Sequence, residues 1–322
     1  MDKLLKDLNP DQKTAVTFQG TGPLLVLAGA GSGKTRVLTQ RAAWLLANEK
    51  IGGDRGLLLL TFTNKAAGEM KERLRKLLSQ SSKSKVQNPK VFAGTFHSFG
   101  AYILRREANR AGVSRSFVIY DQKDQLSLLR NIIKDMNLPK KKYRPKTLNS
   151  IINSAKNDLI DAETFLDSAG DQWQENVGLA YREYQKKLNK ANALDFGDLL
   201  YFTVMILKDN PELLADYQRR YSHILIDEYQ DTNKSQYAIT KLLSKKHQRL
   251  TVVGDAAQAI YSWRGADYRN LSSLKKDFPK TTVINLERNY RSTQTILDAA
   301  NQVIAKNELH PVLKLYTEKK SG

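Results

Sequence analysis

Eight consecutive residues, Ala28-Gly29-Ala30-Gly31-Ser32-Gly33-Lys34-Thr35, carry the most specific chemistry in this chain. The glycines leave a loop with few Cβ atoms, whose backbone N–H groups can close around a phosphate. Lys34 then supplies a point charge for β- and γ-phosphates, and the Thr35 hydroxyl stands at a helix start where it can reach Mg²⁺. Ala28 occupies the place where the strict pattern has its first glycine. A second constellation lies far along the chain, where Ile224-Leu225-Ile226 runs into Asp227-Glu228. An apolar strand ending in two carboxylates delivers both to the mouth of a parallel sheet. With the glycine-rich loop on a neighbouring strand, Asp227 suits the metal. Glu228, of a residue type ordinarily ionised at neutral pH, can orient and deprotonate an attacking water.

These groups need a scaffold, and the apolar runs outline it. Leu24–Leu27 reads as a buried strand before the loop, and Arg36–Leu46 as the amphipathic helix after it. Leu57–Phe62 is a further strand, followed by a helix over Lys65–Leu78 with Ala66, Ala67, Met70, Leu74 and Leu77 on one face. Val91–Thr95, His223–Asp227, Leu250–Asp255 and Thr281–Leu286 complete the strand set. Fully apolar strands with crossover helices predict an α/β fold: a parallel sheet covered on both faces, with ligands at the carboxyl ends of its strands. Between about Asn109 and Leu194 the pattern turns helical (Gln122–Lys134, Leu148–Asn157, Val177–Lys190), which predicts an inserted all-helical domain. The segment Lys140–Lys146 is strongly basic, and Ser79–Asn88 reads as a polar loop.

Composition narrows the partners. Lys and Arg outnumber Asp and Glu by 52 to 33 over 322 residues, a formal net charge of +19. An excess of that size attracts polyanions and favours phosphate contacts through counterion release, so nucleic acid is the expected partner. Cysteine is absent, which excludes disulfides and thiolate metal sites. The four histidines show no HExxH spacing. No stretch of about 18 apolar residues predicts a membrane span, and the amino terminus lacks a secretory apolar region, so the expectation is a cytoplasmic protein without a membrane partner.

The motifs together resemble one family. Leu8-Asn-Pro-Asp-Gln12, the glycine-rich loop, Thr61-Phe-Thr-Asn-Lys-Ala-Ala67, Gly94-Thr-Phe-His-Ser98, Leu194-Asp-Phe196, Asp227-Glu-Tyr-Gln-Asp-Thr-Asn233, Val253-Gly-Asp255, Gln258, Ile260-Tyr-Ser-Trp-Arg-Gly-Ala266 and Asn289-Tyr-Arg-Ser292 follow one another in family order. The chain is similar to the amino-terminal part of a superfamily 1A DNA helicase of the UvrD/Rep/PcrA type, a RecA-like P-loop NTPase. The resemblance implies ATP and Mg²⁺ as cofactors. It assigns ATP to Gln12, to Ala28, Gly29, Ala30, Gly31, Ser32, Gly33, Lys34 and Thr35, and to Arg36 and Tyr290; Thr35 and Asp227 hold the metal. Gln12 has the paired donor and acceptor that read an adenine edge, and Arg36 and Tyr290 offer flat groups to sandwich it. The resemblance makes Gln258 a sensor of the γ-phosphate and Arg291 an arginine finger, beside the catalytic Lys34, Asp227 and Glu228.

For DNA the resemblance points to Phe62, Thr63, Asn64, Thr95, His97, Phe196, Tyr261, Trp263 and Arg264, with single-stranded DNA and single-strand/duplex junctions as partners. Aromatic rings along a basic track stack bases, worth about 1–3 kcal/mol each. On composition alone Phe62 and Phe196 read as core residues. The chain departs from the family at Ala257 and Ala259, where Asp and Ser are usual, at Gly197 in place of Asp, and at Arg288 in place of Gln.

The domain expectation is a RecA-like motor domain 1A at 1–108 and 196–280, an inserted domain 1B at 109–195, and the beginning of a truncated second RecA-like domain 2A at 281–322. The expected function is a 3′→5′ ATP-dependent DNA helicase and translocase, with this chain a fragment that binds nucleotide and single-stranded DNA but does not unwind. Three other readings compete: the motor portion of a helicase–nuclease, a DNA-binding module without catalysis, and an RNA-directed ATPase.

Overall fold

Leu24–Ala28, the apolar run before the glycine-rich loop, forms β1 in the computed structural model, which describes residues 3–49, 51, 55–80, 90–261, 265–267, 269–307 and 312–319. The other strands are β2 (Gly56–Thr61), β3 (Val91–Thr95), β4 (Val118–Ile119), β5 (Ala193–Leu194), β6 (Tyr221–Ile226), β7 (Leu250–Gly254) and β8 (Thr282–Leu286). Helices α1 (Pro10–Thr17), α2 (Lys34–Asn48) and α3 (Asn64–Gln80) precede β3. Seven follow it: α4 (Phe96–Arg106), α5 (Ala108–Ala111), α6 (Gln122–Asp135), α7 (Pro145–Asn157), α8 (Ala162–Asp167), α9 (Gln172–Lys190) and α10 (Phe196–Asp209). The last four are α11 (Pro211–Arg220), α12 (Lys234–Ser244), α13 (Asn270–Asp277) and α14 (Gln294–Ile304).

Two compact units emerge, one of Met1–Thr95, Glu212–Thr232 and Thr240–Gly322, the other of Phe96–Pro211 and Asn233–Ile239. The first is built on a six-stranded parallel sheet in the order β3-β2-β6-β7-β1-β8. β2 and β6 are buried along their whole length, as leucine- and isoleucine-rich strands must be when helices cover both faces. The chain leaves β1 for β2 and β3 at one edge, then returns through β6 and β7. The glycine-rich loop and the Asp227–Glu228 tip therefore project from the same end of the sheet, with β7 between their strands rather than side by side as the sequence suggests. β8 pairs in parallel with β1 and forms the edge of this sheet; the exposure of Thr282, Val283 and Asn285 fits an edge strand.

α2 packs Val37, Leu38, Ala42, Leu45 and Leu46 into the core with Leu24, Val26, Leu57 and Leu225. The buried Arg41 guanidinium donates to the carbonyls of Ala15, Val16 and Phe18, which α1 and the turn after it leave without helical partners. Burial pushes its pKa down to about 10.

The second unit gathers α6, α7 and α9 around Leu129, Ile132, Leu148, Ile152, Val177, Tyr184 and Leu188. It begins at Phe96 and runs to Pro211, wider than the expected 109–195, because α4 and α10 pack on each other within it. Two residues of β4 pair in parallel with two of β5, a link too short to read in the sequence. Beneath the start of α10, Lys156 is fully buried and donates to Asp195 Oδ2 and Asp198 Oδ1, each at 2.7 Å. The Tyr184 hydroxyl adds a third bond to Asp195 at 3.0 Å. Gly197 fits closely there: a Cβ would lie 2.8 Å from Lys156 Cδ, so a larger residue needs the Lys156 stem to shift.

Burial and the neighbouring Asp195 push the Asp198 carboxyl up to about 7, while Lys156 holds Asp195 low. Lys156→Met keeps most of the stem and removes the only cation that the hydrogen bonds of this cluster show. Urea unfolding at pH 8 is expected to give a loss of about 3–5 kcal/mol. The loss shrinks at pH 5, where Asp198 takes up a proton and the carboxylate repulsion disappears. An equal loss at both pH values counts against this account.

Candidate active site

Loop geometry follows from two glycines. Gly31 (φ +70) and Gly33 (φ +91) adopt left-handed backbone, and Gly33 is the N-cap of α2. A Cβ on Gly31 would lie 2.7 Å from Asn289 Nδ2 and 2.9 Å from Arg291 Cβ. The Ser32 hydroxyl closes the loop on Gly29 O at 2.7 Å. Lys34 and Thr35 open α2, so the helix's unpaired N–H groups and positive end face the loop.

Across the end of β7, the Thr35 hydroxyl donates to Asp227 Oδ2 at 2.8 Å. The two residues assigned to the metal thus touch. A hydroxyl and a carboxylate are the hard oxygen donors that suit Mg²⁺, and the residues fit that ion. Asp227 is buried, and its pKa rises to about 6, through desolvation first and the Glu228 charge second, with Lys34 opposing. Glu228 takes a left-handed backbone (φ +50), which only surrounding structure can hold in a non-glycine residue. A cleft of about 300 Å³ collects Ala30, Gly31, Gly33, Lys34, Thr35, Arg36, Arg73, Glu228, Gln258 and Arg291.

Buried Gln230 wires the carboxylates to the next strand. Its Nε2 donates to Glu228 Oε2 at 2.8 Å and to Asp231 Oδ2 at 3.3 Å, while its Oε1 accepts from Asp255 N at 3.0 Å. Gly254 leaves the room: a Cβ there would sit 2.9 Å from Gln230 Oε1. Asp255 Oδ2 in turn accepts from Gln258 Nε2. Asp231 is a third carboxylate that sequence reasoning did not assign. Burial and the charge of Glu228 raise its pKa to about 6, and its Oδ1 has no hydrogen-bond partner among the described residues.

The remaining nucleotide candidates surround the loop in different ways. Gln12 is buried, donates to Ser32 O at 2.9 Å and accepts from Asn9 N at 3.2 Å, so its amide already engages the protein at both ends. Tyr290 is exposed, with its hydroxyl on Asn9 Nδ2 at 2.9 Å and the Arg288 guanidinium 5.0 Å above its ring. Arg288, a departure from the family, therefore packs on a residue assigned to the base. Arg36 lies 3.9 Å from Asp7. Asn289, in a matched motif but given no role, clasps the loop by donating to Ala30 O at 2.6 Å while accepting from Arg291 N and Ser292 N.

The aromatic candidates divide between the units. In the first, Phe62 stacks on Tyr261 with centroids 5.3 Å apart, and both line a pocket of about 480 Å³ with Thr63, Ala66, Ala257 and the carboxylates of Asp227, Glu228 and Asp231. Thr95 is paired with Thr61 at the ends of β3 and β2, and Asn64 opens α3 on the exposed surface; neither lines that pocket. In the second unit, His97 meets Phe196 edge-on at 5.5 Å, and burial pushes its imidazole down to about 4. Phe196 is 48% exposed, unlike a core residue. Trp263, Arg264 and most of the predicted 79–88 loop lie outside the described residues. Among the described residues no helix is long and apolar enough to cross a membrane.

Comparison with known proteins adds relatives. The family model of the UvrD/REP helicase N-terminal domain matches residues 8–279. An ATP-dependent DNA helicase PcrA from Bacillus subtilis (strain 168) is 47% identical over 321 residues, 100% of this chain and 42% of that protein. A protein of the same name from Staphylococcus aureus (strain Mu50) is 44% identical over 322 residues and 43% of its length. The chain thus spans less than half the length of these curated relatives.

A carboxyl whose pKa is higher in the folded chain than in the unfolded one holds its proton more tightly when folded. Stability therefore falls as pH rises from about 4 through 6, and Asp227 is a net liability above that window. Asp227→Asn keeps an acceptor for Thr35 and removes the charge. It is expected to raise unfolding free energy by about 2–3 kcal/mol at pH 8 without nucleotide or metal, with no gain near pH 4. Thermal melts across that range check this.

Proposed function

Because the chain belongs to the UvrD/REP helicase family, we propose that it is the nucleotide-hydrolysing part of an ATP-dependent DNA helicase that moves 3′→5′ along single-stranded DNA. The observation that carries the proposal is the Thr35–Asp227 hydrogen bond, because it brings loop and carboxylates to one cleft with Lys34 and Glu228 on its walls.

In this reading the loop N–H groups, the positive end of α2 and Lys34 bind the β- and γ-phosphates. Thr35 and Asp227 hold Mg²⁺, which neutralises phosphate charge when bound. Glu228 orients water and takes its proton as the water oxygen attacks the γ-phosphorus and the bond to the β–γ bridging oxygen breaks. Gln258 and Arg291 lie where the γ-phosphate carries its charge. Asn9, Gln12, Arg36 and Tyr290 form the base side of the site. In the first unit, bases of single-stranded DNA stack against Phe62 and Tyr261 beside Thr63, with Asn64 and Thr95 as further polar contacts to the strand; in the second unit, Phe196 and His97 are the candidates. A net charge of +19 favours any such phosphate-rich partner. The relatives are more than twice as long, and by itself this chain binds nucleotide and single-stranded DNA, hydrolyses slowly and does not separate duplex at a junction.

Titration with Mg·AMP-PNP and with a fluorescent oligonucleotide tests the proposal. Lys34→Ala is expected to weaken nucleotide binding by at least about tenfold. Glu228→Gln retains binding and loses whatever DNA-stimulated hydrolysis the parent has. Phe62→Ala weakens the oligonucleotide by about tenfold and leaves nucleotide affinity unchanged. Parental nucleotide affinity in Lys34→Ala would sink the proposal.

A further inference from the structure

The start of α10 carries more than a helix start needs. Asp195 is its N-cap and Asp198 closes a capping box, with Asp198 N donating to Asp195 Oδ1 at 2.8 Å and Asp195 N to Asp198 Oδ2 at 3.0 Å. One capping acceptor would satisfy such a turn. Here both residues are buried, and the second oxygen of each is held as well. Lys156 Nζ donates to Asp195 Oδ2 and to Asp198 Oδ1. The Tyr184 hydroxyl joins the first of these oxygens, and Gln185 Nε2 the second at 3.2 Å. All four carboxylate oxygens are engaged.

Phe196 sits in the middle of this cluster, directly after Asp195 and two residues before Asp198. It is the first residue of α10, half exposed, and meets His97 edge-on. A ring half in solvent has little packing of its own, so the backbone beneath it decides where its face lies. Gly197 brings that backbone against the Lys156 stem and Asn153. The lysine is itself anchored, because Ser235 secures the last turn of α7 from which it projects. Ser235 Oγ donates to Lys156 O at 3.1 Å and to Asn157 O at 2.8 Å, and Asn233 Nδ2 donates to Asn157 Oδ1 at 2.8 Å. Both residues belong to Asn233–Ile239, the short segment that is part of the helical unit although it follows the Asp227–Glu228 tip within a few residues.

We propose that Lys156 is a positioning residue for single-stranded DNA: by pinning Asp195 and Asp198 it fixes the Phe196 ring in the orientation that stacks a base. The inference rests on the reading of Phe196 as a DNA-stacking residue. A ring already in place loses little freedom when a base lands on it, so its rigidity adds to affinity. Burying one cation with two carboxylates costs stability that a plain helix cap would not. A fixed ring is what that cost secures.

Anisotropy titration of the full chain with a short fluorescein-labelled oligothymidylate tests this in a double-mutant cycle of Lys156→Met and Phe196→Ala. The temperature is one at which circular dichroism shows each variant folded. Phe196→Ala is expected to weaken the oligonucleotide about tenfold and Lys156→Met about fivefold. The double variant matches Phe196→Ala alone, because the lysine acts only through the ring. Leu129→Ala opens a cavity in the same helical core and destabilises the unit comparably, yet stays within about twofold of the parent. Parental affinity in Lys156→Met, losses that multiply in the double variant, or an equal loss in Leu129→Ala overturns the assignment. Should Lys156→Met fail to fold, Asp195→Asn takes its place in the cycle. It keeps the N-cap acceptor but turns an amide N–H toward Lys156 and Tyr184, and its expected loss of about threefold vanishes in the Phe196→Ala background. The same loss in both backgrounds, or none in either, overturns the proposal. Parental affinity in Phe196→Ala removes the DNA reading of that ring, and the inference with it.

Discussion

One hydrogen bond joins two distant stretches of this chain: the Thr35 hydroxyl on the Asp227 carboxylate. It spans β7, whose own tip sits between the loop and the acidic strand end. The bond partly compensates a carboxylate that is buried and disfavoured in its charged form. Around it the backbone is pushed into uncommon conformations, left-handed at Gly31, Gly33 and Glu228. Such conformations persist where neighbours hold them, and here the neighbours are Asn289 on the loop and Gln230 on the carboxylates.

Gln230 gives the site its internal wiring. With both ends of its amide engaged, Glu228 cannot turn without disturbing the Asp255 backbone, and Asp255 holds Gln258. Glu228, Gln230 and Gln258 also border the pocket in which Phe62 stacks on Tyr261. The cleft beside the glycine-rich loop and this aromatic pocket therefore share Thr35, Glu228 and Gln258 as walls within a single unit. Ala257, one of the departures from the family, is an exposed residue on that pocket, and nothing in the structure explains why Ala replaces Asp there. Gly197 and Arg288 are different: the first makes room for the Lys156 stem, the second lies over Tyr290.

Local pattern made most elements legible. Apolar runs bounded by glycine or carboxylates became β1, β2 and β7 nearly residue for residue, and β6 starting two residues earlier, because a strand buried on both faces is mostly apolar. Helices with a 3.6-residue stripe, α3 and α6 among them, were equally plain. β4 and β5 were not, since two-residue strands carry no period, and neither was the place of α4 and α10 within the helical unit. The burial of Lys156 was invisible for another reason. A lysine among Ser, Ala and Asn reads as solvated until Asp195 and Asp198, some forty residues later, fold beneath it.

Residue order alone determined the family resemblance, the phosphate loop, the acidic strand end and the attraction to polyanions, since each depends on neighbours in sequence or on total charge. Tertiary structure decided what those pieces meet: β7 between the two halves of the site, Asn289 across the loop, Asp231 and Arg73 beside the assigned residues. These contacts join residues tens to hundreds of positions apart, and no local periodicity encodes a distance closed only when the sheet assembles.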